Sequence, residues 1–131
     1  MGSDDLDLGS LSRAVTQLER AYSKAPVSDL ERDGAVQRFE YTFELSRKMI
    51  RRHMELMGER DVDRWTVKDL FREAATAGLI DDPRRWFKYQ ETRNITSHNY
   101  DQNKAEAAFL KGKEFAIDVR KLLDELLDRH A

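Results

Sequence analysis

At 131 residues the chain has the length of one ordinary domain, and its composition of 37% charged residues with only 6 Gly and 2 Pro favours helices and argues against a β-sandwich. The formal net charge of −2 gives no global positive field for sequence-independent binding of nucleic acid, so any contact with RNA must be local. The absence of cysteine excludes disulfides, thiol nucleophiles and thiolate metal ligands.

The amino terminus does not have the pattern of a targeting signal. Residues 1–5 end in two aspartates where a secretory signal would be basic, and no apolar run reaches the length of a transmembrane helix. We therefore expect a cytoplasmic protein with no membrane partner. Residues 1–131 are predicted to form a single helical domain in which residues 1–5 are disordered or derived from an expression vector.

Apolar residues at steps of three and four predict two amphipathic helices in the first half of the chain. The first runs from Leu8 to Tyr22 and ends before Pro26. The second begins at a capping box, residues 28–31, and stops at Gly58, which can adopt the left-handed conformation. Its apolar stripe is predicted to form the centre of the fold and comprises Val36, Phe39, Phe43, Ile50, Met54 and Met57.

A short third helix is predicted between two sequence signals. It begins at a second capping box, residues 66–69, and ends at Ala77 before Gly78, whose apolar successor can pack back on the helix. Asp82 and Pro83 then have the residue types of an N-cap and a first helical position.

The remaining sequence predicts two more helices. The fourth should end near Tyr100 or Asp101, and the fifth should begin near Asn103. Four long helices and one short one, joined by brief connections, predict an all-α fold: an antiparallel up-and-down four-helix bundle with one additional short helix.

Residues 93–100, near the predicted end of the fourth helix, are rich in polar side chains that can bind anions or transfer protons. On an ideal helix Arg93 and His98 lie about 140° apart, and Tyr100 returns almost over Arg93. A two-fold dimer across this helix would place two arginines and two histidines in one cleft. A guanidinium binds phosphate oxygens, an imidazole transfers protons near neutral pH, and the RNA 2′-hydroxyl can be the nucleophile, so no metal is required.

Plainer interpretations compete with this one. An arginine and a histidine at this spacing occur often by chance, and a histidine at a helix end interacts favourably with the helix dipole. Glu40 and Glu44 are interpreted as surface carboxylates that pair with Arg47 and Lys48, because a di-metal bundle would need a glutamate three residues before a histidine. His130 is placed in a fraying tail. A solvated helix face, with an RNA-backbone patch as the alternative, is predicted for Arg47, Lys48, Arg51, Arg52 and His53.

Three blocks of sequence together resemble one family. They are residues 32–45, residues 71–82 with the following Trp86, and residues 93–101, and the resemblance extends over roughly residues 10–128. These blocks resemble the nucleotidyltransferase substrate-binding branch of the HEPN superfamily, which includes the HepT toxins. The resemblance implies a four- or five-helix bundle that dimerises and is commonly encoded beside a minimal nucleotidyltransferase, the pair acting as toxin and antitoxin.

The resemblance also implies roles for individual residues. In the toxin members an Arg-x4-His-x-Tyr motif forms a metal-independent endoribonuclease site at the dimer cleft, and Arg93, His98 and Tyr100 match it here. Asn94 occupies the polar position that commonly follows the arginine. Related nucleotidyltransferases transfer AMP to the motif tyrosine, which makes Tyr100 the predicted acceptor.

Three residues of the second helix, Asp33, Gln37 and Glu40, match the family block there and are predicted to line the site or the dimer face. Two functions remain open. The first is a homodimeric ribonuclease toxin that acts on RNA such as tRNA, without cofactor or metal, and is neutralised by AMP on Tyr100. The second is a non-catalytic accessory subunit that binds the nucleotidyltransferase and presents or recognises its substrate.

Overall fold

The computed structural model describes residues 6–25, 28–98 and 101–131, apart from the side chains at positions 97, 98 and 102. Its helices are α1 (Gly9–Ala21), α2 (Asp29–Leu56), α3 (Val67–Thr76), α4 (Pro83–His98) and α5 (Gln102–Arg129), with one 3-10 turn at Val62–Arg64. The prediction of an all-α fold with one short helix is confirmed. Among the described residues, no helix has both the length and the apolar composition needed to cross a membrane. The prediction for residues 1–5 falls outside them.

Side-chain caps set the starts of α2 and α3 where the sequence predicted them. Ser28 Oγ accepts a hydrogen bond from the Glu31 backbone N–H at 3.2 Å. Thr66 Oγ1 accepts from the Asp69 N–H at 3.0 Å, and the Asp69 carboxylate accepts from the Thr66 N–H at 3.1 Å, which completes the capping box. Each bond satisfies a backbone donor that a helix end leaves unpaired.

Glycine ends both α2 and α3 as predicted. Gly58 and Gly78 have φ of 87° and 79°, in the left-handed region that side chains with a Cβ rarely adopt. After Gly78, the Leu79 N–H bonds to the Ala74 carbonyl at 2.9 Å, and Leu79 is buried, which is the expected Schellman ending.

The junction between α4 and α5 lies within two residues of its predicted position. Helix α4 ends at His98, two residues before Tyr100, and α5 begins at Gln102, next to the predicted Asn103. An N-cap that was not predicted from the sequence fixes the start of α5: Asp101 Oδ1 accepts a hydrogen bond from the Lys104 N–H at 2.9 Å.

The direction of each helix follows from its cross-helix contacts. Contacts that join later residues of one helix to earlier residues of the other show that α1 is antiparallel to α2, and α4 to both α2 and α5. Helices α2 and α5 run parallel and touch along the centre. These directions agree with the predicted up-and-down bundle and follow from the pairs Ala14–Thr42, Gln17–Arg38, Glu40–Thr96, Glu44–Arg93, Arg85–Asp118, Phe39–Phe115 and His53–His130.

Aromatic rings from four helices fill the core. Phe43 from α2 has ring centroids of Trp86 and Phe115 within 6.3 and 5.8 Å, so it joins α4 to α5. The aromatic side chains buried almost completely are Phe39, Phe43, Phe71, Trp86, Tyr89 and Phe115. One member of the predicted stripe is wrong: Met57 is 60% exposed, because it is the C-cap residue where the chain leaves α2.

Two histidines meet at the end of the bundle where α2 and α5 finish, and both were interpreted differently from sequence. His53 is buried rather than part of a solvated face, and its Nδ1 lies 2.8 Å from Nε2 of His130. His130 therefore does not lie in a frayed tail, because α5 stays helical to Arg129 and this contact fixes the residue that follows. Burial lowers the pKa of His53, and the charges of His130 and Arg129 lower it further.

This lowered pKa of His53 predicts a loss of stability on acidification. An unfolded histidine titrates near 6.5, so below that pH the unfolded chain binds more protons than the folded one until the folded pKa is reached. We expect the contribution of neutral His53 to the free energy of unfolding to be fully present above about pH 6.5 and to be lost progressively below that pH. Urea unfolding from pH 5 to 8 should show this slope, and His53→Gln should flatten it. An equally steep slope in His53→Gln would contradict this assignment.

Candidate functional site

The arginine of the predicted motif is anchored to the neighbouring helix. Arg93 Nε donates a hydrogen bond to Glu44 Oε2 at 3.1 Å, and 28% of the Arg93 side chain remains exposed. Glu44 Oε1 accepts a second bond from Arg47 Nη2 at 2.6 Å. The predicted Glu44–Arg47 pair is confirmed, whereas the contact with Arg93 is new. Within the described part of the chain, Arg93 Nη1 and Nη2 donate no hydrogen bond and are available to a ligand.

A second polar contact lies one helical turn away. Thr96 Oγ1 donates to Glu40 Oε2 at 2.6 Å and lies 3.0 Å from the carbonyl of Arg93. Glu40 is therefore brought to the site, but it binds a threonine rather than the surface lysine or arginine expected from sequence. The two contacts together hold this face of α4 against α2.

The other predicted residues of α2 follow the same face. At positions 33, 37, 40 and 44, an ideal helix places the side chains in one stripe about 16 Å long. Gln37 is exposed, and Asp33 lies at the far end, where its carboxylate is 3.5 Å from Arg32 Nη2. The structure thus brings Glu40 to Thr96, one turn from the Glu44–Arg93 contact, and leaves Asp33 in a separate ion-pair group.

The remaining motif residues lie at the end of α4. Asn94 is exposed, and its Oδ1 accepts a hydrogen bond from Gln90 Nε2 at 3.0 Å, one turn back along the helix. His98 is the last residue of α4, about 7.5 Å along the axis from Arg93. Its side chain, and the whole of Tyr100, lie outside the described residues.

The basic cluster of α2 is only partly a solvated face. Lys48 and Arg52 are exposed, but Arg51 Nη1 donates to the Val62 carbonyl at 2.5 Å and Arg47 is held by Glu44. Arg51 has a partner because α2 packs beside the 3-10 turn, and Arg47 has one because Glu44 lies three residues earlier on the same helix. The patch open to an RNA backbone is therefore smaller than the sequence suggested.

Two residues of the site, Glu44 and Thr96, were not assigned to it from the sequence. The signal that could have found them is a matched spacing: Glu40 and Glu44 are four residues apart on α2, and Arg93 and Thr96 are three apart on α4. In antiparallel helices such pairs can meet in register. Spacing alone does not say which faces of the two helices are opposed.

Comparisons with known proteins identify one group of relatives. Residues 6–128 match the family model described as nucleotidyltransferase substrate binding protein like. The chain is 36% identical, over 143 aligned residues, to the probable ribonuclease HepT of Haemophilus influenzae, an alignment that covers 99% of this chain and 98% of the relative.

Solved structures give the same result. A Haemophilus influenzae protein described as showing the fold of a substrate binding domain of a nucleotidyltransferase superposes with a TM-score of 0.81 at 36% identity, over 92% of this chain and 98% of that one. A crystal structure from Thermus thermophilus superposes with a TM-score of 0.73 at 30% identity, over 88% and 98% of the two chains.

Proposed function

Because the chain belongs to the family of nucleotidyltransferase substrate binding protein-like proteins, we propose that it is a HEPN toxin-type endoribonuclease of a toxin-antitoxin pair. The observation that supports this most is the state of Arg93: it is fixed through Nε by Glu44 and keeps both terminal nitrogens for a phosphate, five residues before His98. The 36% identity to a probable ribonuclease over the whole chain supports the same activity.

The proposed reaction assigns one task to each motif residue. Arg93 binds the oxygens of the scissile phosphate as a charge-assisted fork. His98 takes the proton from the 2′-hydroxyl of the RNA, or gives one to the leaving 5′-oxygen. The 2′-oxygen attacks phosphorus, the bond to the 5′-oxygen breaks, and the products carry a 2′,3′-cyclic phosphate and a 5′-hydroxyl. The reaction needs no resident metal or cofactor.

We propose a homodimer as the active form. Arg93 and His98 point about 140° apart on one ideal helix, so a cleft between two copies lets both residue types face one phosphate. Exposed apolar side chains on α4 and α5 suit such contact, because Ile95 is 47% and Leu110 54% exposed. In this arrangement Asn94 and the α2 stripe of Asp33, Gln37 and Glu40 line the cleft or the dimer face.

We propose that the ribonuclease is inhibited by AMP transfer to Tyr100, carried out by a minimal nucleotidyltransferase that acts as the antitoxin. An anionic nucleotide on this residue, two positions after His98, would compete with RNA for Arg93. We further propose that residues 1–131 form one domain, which acts in the cytoplasm on RNA such as tRNA.

Intact mass spectrometry tests this inhibition by AMP transfer. After incubation with the nucleotidyltransferase and ATP, we expect the chain to gain the mass of AMP and to lose cleavage of bulk tRNA. Tyr100→Phe is the matched control, because it keeps the ring and removes the acceptor oxygen, and it should gain no mass and keep its cleavage. The same mass gain in Tyr100→Phe would contradict the assignment of the acceptor.

A second candidate function is a non-catalytic accessory subunit that presents or recognises the substrate of the nucleotidyltransferase. It is favoured by the family description and by the solved relative described as a substrate binding domain. Expression of this chain alone separates the two functions. Growth arrest that the partner relieves supports the toxin, whereas normal growth supports the accessory subunit.

A further inference from the structure

The contact between Glu44 and Arg93 indicates how the Arg93 guanidinium is oriented. We propose that Glu44 is a positioning residue of the ribonuclease site: it holds the Arg93 guanidinium in the orientation that receives the scissile phosphate. This inference rests on the proposed ribonuclease function and adds a residue of α2 to the Arg-x4-His-x-Tyr segment at the end of α4.

The geometry separates the anchoring atoms of Arg93 from its ligand-binding atoms. A hydrogen bond at Nε restricts the rotation of the guanidinium and leaves the two terminal nitrogens free to donate elsewhere. Glu44 Oε2 makes this bond at 3.1 Å, and Nη1 and Nη2 donate to none of the described residues. A free arginine side chain samples many rotamers, so anchoring it before substrate arrives reduces the ordering cost of binding phosphate.

The charge of Arg47 offsets that of Glu44, so an acidic residue is compatible with a site that binds an anion. A single Arg93–Glu44 pair would be neutral and would attract phosphate weakly. Because Glu44 also binds Arg47 at 2.6 Å, these three side chains together carry one net positive charge, while the second carboxylate of the site, Glu40, lies one turn away on Thr96. The side chains of Glu44 and Arg47 are 26% and 29% exposed, so this charge lies at the surface and can act on an approaching RNA.

The fold does not depend on Glu44 to hold α2 and α4 together. Phe43 packs against Trp86 in the core with ring centroids 6.3 Å apart, and Glu40 binds Thr96 one turn away. A partly exposed ion pair contributes little to stability beside such packing. Removal of the Glu44 charge should therefore alter the site without unfolding the bundle.

The test is Glu44→Gln, read as separate effects on kcat and KM for a labelled RNA oligonucleotide. We expect kcat to fall by roughly 10- to 100-fold, because a misplaced guanidinium loses alignment with the phosphate. KM should stay the same or decrease, because the substitution removes a negative charge near the RNA. A merely electrostatic role predicts tighter binding with unchanged kcat, and a merely structural role predicts a lower melting temperature.

The chain offers a matched control for Glu44→Gln. Glu19 of α1 makes a similar pair across helices, accepting from Arg120 Nη2 at 2.7 Å and Nε at 2.9 Å. Glu19→Gln breaks a comparable ion pair away from the α2–α4 contact, and we expect its kcat to equal that of the unsubstituted chain.

A double-substitution cycle with Arg93→Lys gives a second readout of positioning. If Glu44 acts through Arg93, Arg93→Lys should reduce kcat far less in the Glu44→Gln background than in the unsubstituted chain. Independent, multiplying effects would overturn the proposal. Cleavage by the unsubstituted chain with equal kcat in Glu44→Gln also overturns it, whereas no cleavage by the unsubstituted chain overturns the ribonuclease function itself.

Discussion

His98→Ala should lower the rate of RNA cleavage by roughly 10²- to 10⁴-fold, the usual contribution of a general acid or base. Histidine is the side chain whose ordinary pKa lies near 6.5, so it can both take and give a proton at neutral pH. Single-turnover cleavage of a labelled RNA at saturating protein measures this step without the contribution of product release. We expect RNA binding to change little, because Arg93 remains to hold the phosphate.

A control for His98→Ala comes from the other end of the bundle. His130 contacts His53 where α2 and α5 finish, whereas His98 lies where α4 ends and α5 begins. His130→Ala should therefore cleave RNA at nearly the rate of the unsubstituted chain. An equal loss of cleavage in both variants would point to damage of the fold, and no loss in His98→Ala would remove His98 from the mechanism.

Arg93→Ala should reduce kcat/KM for RNA by roughly 10²- to 10³-fold, similar to the loss of one preorganised donor to a developing charge. The terminal nitrogens of Arg93 are the donors that Glu44 leaves available, so alanine removes both the phosphate contact and its positive charge. Arg93→Lys keeps the charge but has one nitrogen, which cannot bind Glu44 through Nε and the phosphate through a fork. We expect the lysine variant to recover only part of the loss.

The matched control for Arg93 is Arg120→Lys, which alters a guanidinium of similar setting bound to Glu19. It should change neither kcat nor KM. Full activity of Arg93→Lys would show that charge alone suffices, and full activity of Arg93→Ala would contradict the assignment of Arg93 to the phosphate.

Local sequence signals predicted the helix boundaries well. The caps at Ser28 and Thr66 and the ending at Gly78 involve residues within five positions of each other, so their chemistry can be seen in the sequence. The same reasoning was capable of finding the cap at Asp101, since this residue lies three positions before Lys104.

Contacts between distant parts of the chain could not be predicted in the same way. The Glu44–Arg93 bond joins residues 49 positions apart, and the His53–His130 contact joins residues 77 apart. Both depend on which faces of the helices oppose each other, which is set by packing of the whole core. The family resemblance supplied Arg93, but only the packing of α2 on α4 gave its partner.

The most direct test of the ribonuclease function is to incubate the purified chain with bulk tRNA in EDTA and to analyse the ends of the fragments. We expect cleavage that persists without divalent metal, leaves 2′,3′-cyclic phosphate and 5′-hydroxyl ends, and disappears when Arg93 and His98 are both replaced by alanine. Intact tRNA after incubation with the unsubstituted chain, or the same fragments from the doubly substituted chain, would contradict this function.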